Sequence, residues 1–101
     1  MHPDGTFINS DGRYVYFEYE NSKDIMGYHV LSYIRNVSTS CIIIFVRSKH
    51  HANKHQADYL NAICAAKLVE KIMLGVTFKF YDCDGTTENI KTILSENGVV
   101  V

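Results

Sequence analysis

Three acidic side chains near the amino end of the chain are spaced to do chemistry: Asp4, Glu18 and Glu20. Between them, Phe7 and Ile8 lead into Asn9-Ser10-Asp11-Gly12, where an Asp-Gly pair supplies the positive φ of a tight turn. Arg13 to Glu20 follows, rich in the aromatic and β-branched residues that fit a pleated surface. The stretch therefore predicts a β-hairpin, with Phe7–Asn9 paired to Tyr14–Glu20. Period-2 alternation puts Tyr14, Tyr16, Glu18 and Glu20 on one strand face and Val15, Phe17 and Tyr19 on the other. Two carboxylates side by side at the end of an apolar strand repel and cost desolvation unless a cation or water lies between them. An antiparallel return brings Asp4 toward Glu18. Three converging carboxylates make a hard-oxygen site of the kind Mg²⁺ or Mn²⁺ takes. The alternative is that all three face water separately.

The wording around these acids has a family likeness. Pro3-Asp4, thirteen residues, then Glu18-Tyr19-Glu20 resembles the PD-(D/E)xK nuclease superfamily, whose signature is Pro-Asp, a hairpin, and an acidic-x-Lys triplet. The local run P-D-G-x-F followed by Y-x-Y-F-E-Y-E is most similar to the nuclease-like domain of replication-relaxation proteins. Glu20 stands where the superfamily usually has its lysine. The resemblance implies that Asp4 and Glu18 are catalytic metal ligands, helped by the backbone carbonyl of Tyr19. Glu20 would add a ligand or accept a proton. Lys23, just past the strand, would take over the electrostatic duty of the missing lysine; its plainer reading is a solvated lysine at a helix start. His29-x-x-x-Tyr33 sets two polar rings one turn apart on a helix and is similar to the Gln-x-x-x-Tyr or Lys-x-x-x-Tyr pair of several members. It would touch nucleic acid, or else pack partly in the core.

Further along, Arg47, Lys49, His50 and Lys54 form a compact basic stretch after an apolar run, at a position where open α/β sheets bind ligands. Such a patch can hold a phosphodiester backbone, and an ordinary polar loop is the competing reading. His51 and His55 have a zinc-like i, i+4 spacing but no third partner nearby. Asp82-x-Asp84-Gly85 opens like a calcium loop, yet later acidic ligands do not follow in register, so a turn is expected.

The elements that must position these residues follow from periodicity. Asn21 with Asp24 marks a helix start, and that helix is expected to run to about Asn36 on Ile25, Tyr28, Leu31 and Ile34 or Arg35. Cys41–Val46 is a continuous apolar run of strand length, the pattern of a central strand covered on both faces. A long helix from about Asn53 to Leu74 is expected to bury Leu60, Ile63, Cys64, Leu68 and Ile72, with Gly75 as terminator. Val76–Tyr81 alternates as a strand, and Thr87 caps a last helix ending before Gly98. Strand–helix–strand units imply parallel pairing, so residues 1–101 are expected to form one α/β domain. Its mixed β-sheet is flanked by helices, and the superfamily resemblance implies that this is a restriction-endonuclease-like core lacking the usual N-terminal helix.

Composition bounds the rest. A hydrophobic fraction of 47% and an aromatic fraction of 12% argue for a folded chain. A net charge of −1 offers no global basic field for nucleic acid. Cys41, Cys64 and Cys83 each sit in an apolar run without metal-ligand spacing, which predicts buried reduced thiols and a cytoplasmic location. No apolar run is long enough for a membrane span. The function that the superfamily resemblance implies is metal-dependent endonuclease action on DNA of a phage, plasmid or similar replicon. The alternative is a catalytically degenerate nuclease-like module for DNA binding or protein interaction. A sheet short of its N-terminal cover leaves apolar surface that usually finds a partner, so a homodimer is expected.

Overall fold

The computed structural model describes residues 4–20, 40–48 and 56–101, with Glu20 described for its backbone alone. The expected helix after the hairpin, and Lys23, His29, Tyr33, Lys49, His50, His51, Lys54 and His55, lie outside the described residues. The chain folds as an α/β structure, a four-stranded mixed sheet with two helices among the described residues. In order these are β1 (Gly5–Ile8), β2 (Tyr14–Glu20), β3 (Cys41–Arg47), α1 (Gln56–Ile72), β4 (Val76–Asp82) and α2 (Thr87–Glu96).

The sheet order is β1-β2-β3-β4, with β1 antiparallel to β2 and the other two pairings parallel. The hairpin forms where the sequence predicts it, with β1 shifted to Gly5–Ile8. Gly12 takes the positive φ of 79°, but Asn9 organises the turn. Its carboxamide oxygen accepts from the amides of Asp11 (3.1 Å) and Arg13 (2.9 Å). This is the Asx-type closure that a short polar side chain offers in place of a ladder bond. The Asn9 Nδ2 donates to the Asn97 carbonyl at 3.1 Å, pinning the turn to the far end of the chain.

β3 is buried along its whole length: the apolar run Cys41–Val46 as an interior strand must be, and Arg47 at its end with it. Alternation splits its side chains between two cores. Cys41, Ile43 and Phe45 pack with Val76, Phe78 and α1 residues Ala62 and Ala66. Ile42, Ile44 and Val46 pack with Val15, Phe17, α2 residues Ile93 and Leu94, and Val99. Phe45 lies between Phe78 and Phe80, with ring centroids 6.4 and 5.5 Å away, and Tyr59 meets Phe80 edge-on at 6.0 Å.

The face that α1 buries corrects the sequence expectation. Leu60, Leu68 and Ile72 are 50%, 60% and 72% exposed and Cys64 is exposed, while Ala62 and Ala66 are buried. Of the expected stripe, Ile63 alone is half-buried. The cause is spatial. The flat aromatic layer of Phe45, Phe78 and Phe80 leaves room for a helix only at close approach, and alanine permits that where leucine does not. Tyr59, Val69 and Met73 complete the contact. The helix ends at Ile72, and Gly75 adopts a φ of 98° in the turn into β4. Thr86, one residue before the expected cap, closes the start of α2, its hydroxyl accepting from the Asn89 amide at 3.2 Å. No helix of the described residues is long and apolar enough to cross a membrane.

Candidate functional site

Parallel strands end together, and the carboxyl ends of β2, β3 and β4 form one rim of the sheet. Register aligns Glu20 with Arg47 and Arg47 with Asp82, and places Glu18 beside Phe45. Alternation then puts Glu18, Arg47 and Asp82 on the α1 side of the sheet. Such a rim is where open α/β sheets gather polar groups.

Asp4 reaches this rim from β1. The last hairpin pair is Gly5 with Phe17, so Asp4, the residue just before β1, comes level with Glu18. The Asp4 Oδ2 accepts a hydrogen bond from the Tyr19 amide at 2.7 Å. This is a charge-assisted bond at the centre of the Glu18-Tyr19-Glu20 triplet. In an extended strand the N–H and C=O of one residue leave on the same edge, so the Tyr19 carbonyl also faces the Asp4 side. Glu18 is buried at 8% exposure, as a carboxylate held by the structure rather than a solvated strand end.

Among the described residues no group of three or more His, Cys, Asp or Glu side chains could hold a metal ion. Asp4 and Glu18 are two of the three expected carboxylate ligands; the backbone of Glu20 reaches the rim. Two carboxylates suit Mg²⁺, which keeps several of its waters and takes few protein ligands.

Arg47 departs from its expected role. It is 1% exposed, with Nη1 3.8 Å from the Asp58 Oδ2, and so does not join a surface patch for phosphodiesters. Its place on β3 explains this: it continues the alternation of Cys41, Ile43 and Phe45 toward α1, whose first turn supplies Asp58. A buried guanidinium needs such a partner, because an uncompensated charge there costs several kcal/mol.

Next to this pair the Tyr59 phenol lies close to Asp82. Burial pushes its pKa far up, the neighbouring Asp82 carboxylate pushes it further, and Arg47 pulls it partly back. Asp58, Tyr59 and Asp82 thus belong to the rim, although sequence reading assigned none of them a role. Their signal was a parallel register: an acid at the end of β4 and another in the first turn of α1, both flanking an arginine at the end of β3.

The cysteines also depart from expectation. All three are free, but only Cys41 is buried; Cys83 is half-buried and Cys64 exposed. Burial raises the Cys41 thiol pKa, against a small opposing pull from Arg13, and burial with the charges of Asp84 and Asp82 raises that of Cys83. Searches of protein-family models, curated proteins and solved structures give no match to the chain.

Proposed function

We propose that this chain is a metal-dependent nuclease that hydrolyses DNA phosphodiester bonds at the Asp4–Glu18 rim. The observation that carries this reading is the 2.7 Å bond between Asp4 and the Tyr19 amide. It joins the Pro-Asp element to the Glu-x-Glu triplet, as the metal-binding reading of the sequence requires. Mg²⁺ or Mn²⁺, when bound, supplies activation of a water and stabilisation of charge on the scissile phosphate. Asp4 and Glu18 would hold the ion, with the Tyr19 carbonyl on the same edge, and Glu20 would add a ligand or take up the proton of the attacking water. Lys23 is assigned the electrostatic role of the superfamily's lysine. Lys49, His50, Lys54, His29 and Tyr33 are assigned to the DNA backbone, and Arg47 is not.

A second reading has its own support. Arg47, buried in an acidic rim, neutralises carboxylates without any metal, which favours a degenerate module that binds DNA or protein and does not cleave. Incubating plasmid with the protein and Mg²⁺ or Mn²⁺ separates the two. Cleavage that disappears in Asp4→Ala and Glu18→Ala supports the nuclease; binding without cleavage supports the module. We also propose a homodimer in an intracellular setting, favoured by the outward Leu60, Leu68, Ile72 and Leu74. A monomeric mass in light scattering at micromolar concentration overturns that proposal.

A further inference from the structure

We infer that Gly85 is a positioning residue for the carboxylate site, acting through Tyr19. The inference rests on the Asp4–Glu18 reading of that site. A β-carbon on Gly85 would lie 2.7 Å from both Cε2 and Cζ of Tyr19 and 3.2 Å from Cδ2, so the phenol ring lies directly against the glycine backbone. The φ of Gly85 is not in the left-handed region, so the position needs glycine for space and not for backbone shape. The amide of the same tyrosine donates to Asp4. Tyr19 thus has its ring on the loop between β4 and α2, and its amide on the carboxylate that immediately precedes β1.

That loop is itself held. Asn89 Nδ2 donates to the Asp84 carbonyl at 2.8 Å, and the Thr86 hydroxyl caps α2. The seat under the ring is therefore anchored to a helix rather than left to a free turn. The Asp82-x-Asp84-Gly85 stretch has no place in the expected ligand set. Its contribution is to fix the height of Tyr19, and with it the position of Asp4 relative to Glu18. A methyl group at Gly85 displaces the ring, tilts the end of β2 and lengthens the Tyr19–Asp4 bond.

Native-state amide exchange and Mn²⁺ titration of wild type, Gly85→Ala, Asp4→Ala and the double variant Gly85→Ala/Tyr19→Leu test this. In Gly85→Ala the Tyr19 amide exchanges about tenfold faster through local opening, while the Ile43 amide in the middle of β3 keeps its protection. Replacing the ring by leucine in the double variant restores slow exchange at position 19, and Asp4→Ala, which removes the acceptor, loses it. Mn²⁺ affinity falls about tenfold in Gly85→Ala, roughly 1.4 kcal/mol, and recovers in the double variant. Tyr19 exchange within twofold of wild type in Gly85→Ala, or a double variant as fast as the single one, overturns the inference. If Gly85→Ala fails to fold, a folded double variant with slow exchange still supports it, and an unfolded one overturns it. Wild type that ignores Mn²⁺ removes the metal reading, and the exchange arm then decides the Gly85–Tyr19–Asp4 linkage by itself.

Discussion

At the scale of single residues, the strongest constraint is one that does no chemistry. Arg13 Nη2 donates to the Cys41 carbonyl (2.8 Å), the Gly75 carbonyl (2.9 Å) and the Thr77 hydroxyl (3.1 Å), and Nε donates to the Ser40 hydroxyl (3.0 Å). One side chain thus ties the hairpin to the amino ends of β3 and β4. Arg13→Met should cost about 2 kcal/mol in urea unfolding, since hydrogen bonds from a charged donor are worth more than neutral ones; a loss under about 0.5 kcal/mol would contradict the clamp. The thiols give a second check. A disulfide reagent added to native protein should modify Cys64 fast and Cys41 only on unfolding, and a fast phase that survives Cys64→Ser would refute the assignment. Titration gives a third. Cys41 and Tyr59 both have folded pKa values raised above their ordinary 9.0 and 10.0. Their contribution to stability is complete below those ordinary values, and is lost as pH rises toward the folded ones, because the unfolded chain ionises first. Stability should therefore fall above about pH 9, and Tyr59→Phe should flatten the part of that loss that begins near pH 10. An unchanged alkaline slope in Tyr59→Phe would contradict the raised phenol.

At the scale of elements, strand identity was legible and helix facing was not. Cys41–Val46 could only be a covered strand, because six apolar residues in a row leave no face for water. The hairpin was legible from Asp11-Gly12 and from the alternation of Tyr14 to Glu20. α1 was not, because apolar residues cover more than half of its circumference and periodicity alone cannot rank leucine against alanine. That choice is made by the aromatic layer beneath it, which accepts Ala62 and Ala66 and excludes the bulkier stripe. The same limit hid the acid rim. Arg47, Asp58 and Asp82 are apart in sequence, and only the parallel register of β3 with β4, together with the packing of α1 over that face, brings them together. Two substitutions test the facing of α1. Ala66→Leu should destabilise by about 1–3 kcal/mol through overpacking, and Leu68→Gln should stay within about 0.5 kcal/mol of wild type in the monomer. The reverse order in chemical denaturation would restore the leucine stripe to the core.

At the scale of the whole molecule, a mixed sheet delivers acidic groups to one rim, and the account depends on whether that rim takes a cation. Asp4 and Glu18 come from strands that run in opposite directions, so neither carboxylate is placed without the hairpin fold, and the unfolded chain has no such pair. A divalent ion that binds there binds the folded state alone and must stabilise it by mass action. At a hundredfold excess over the dissociation constant the gain is about 2.7 kcal/mol, which for a chain of this length raises the melting temperature by roughly 10 °C or more. The second reading, with Arg47 already serving as the rim's cation, predicts no such gain. The direct measurement is the thermal melt of wild type, Asp4→Asn and Glu18→Gln, each with and without millimolar Mn²⁺. The metal-site account predicts a rise in wild type that grows with Mn²⁺ concentration and is lost in both variants. No rise in wild type, or the same rise in all three proteins, would contradict it.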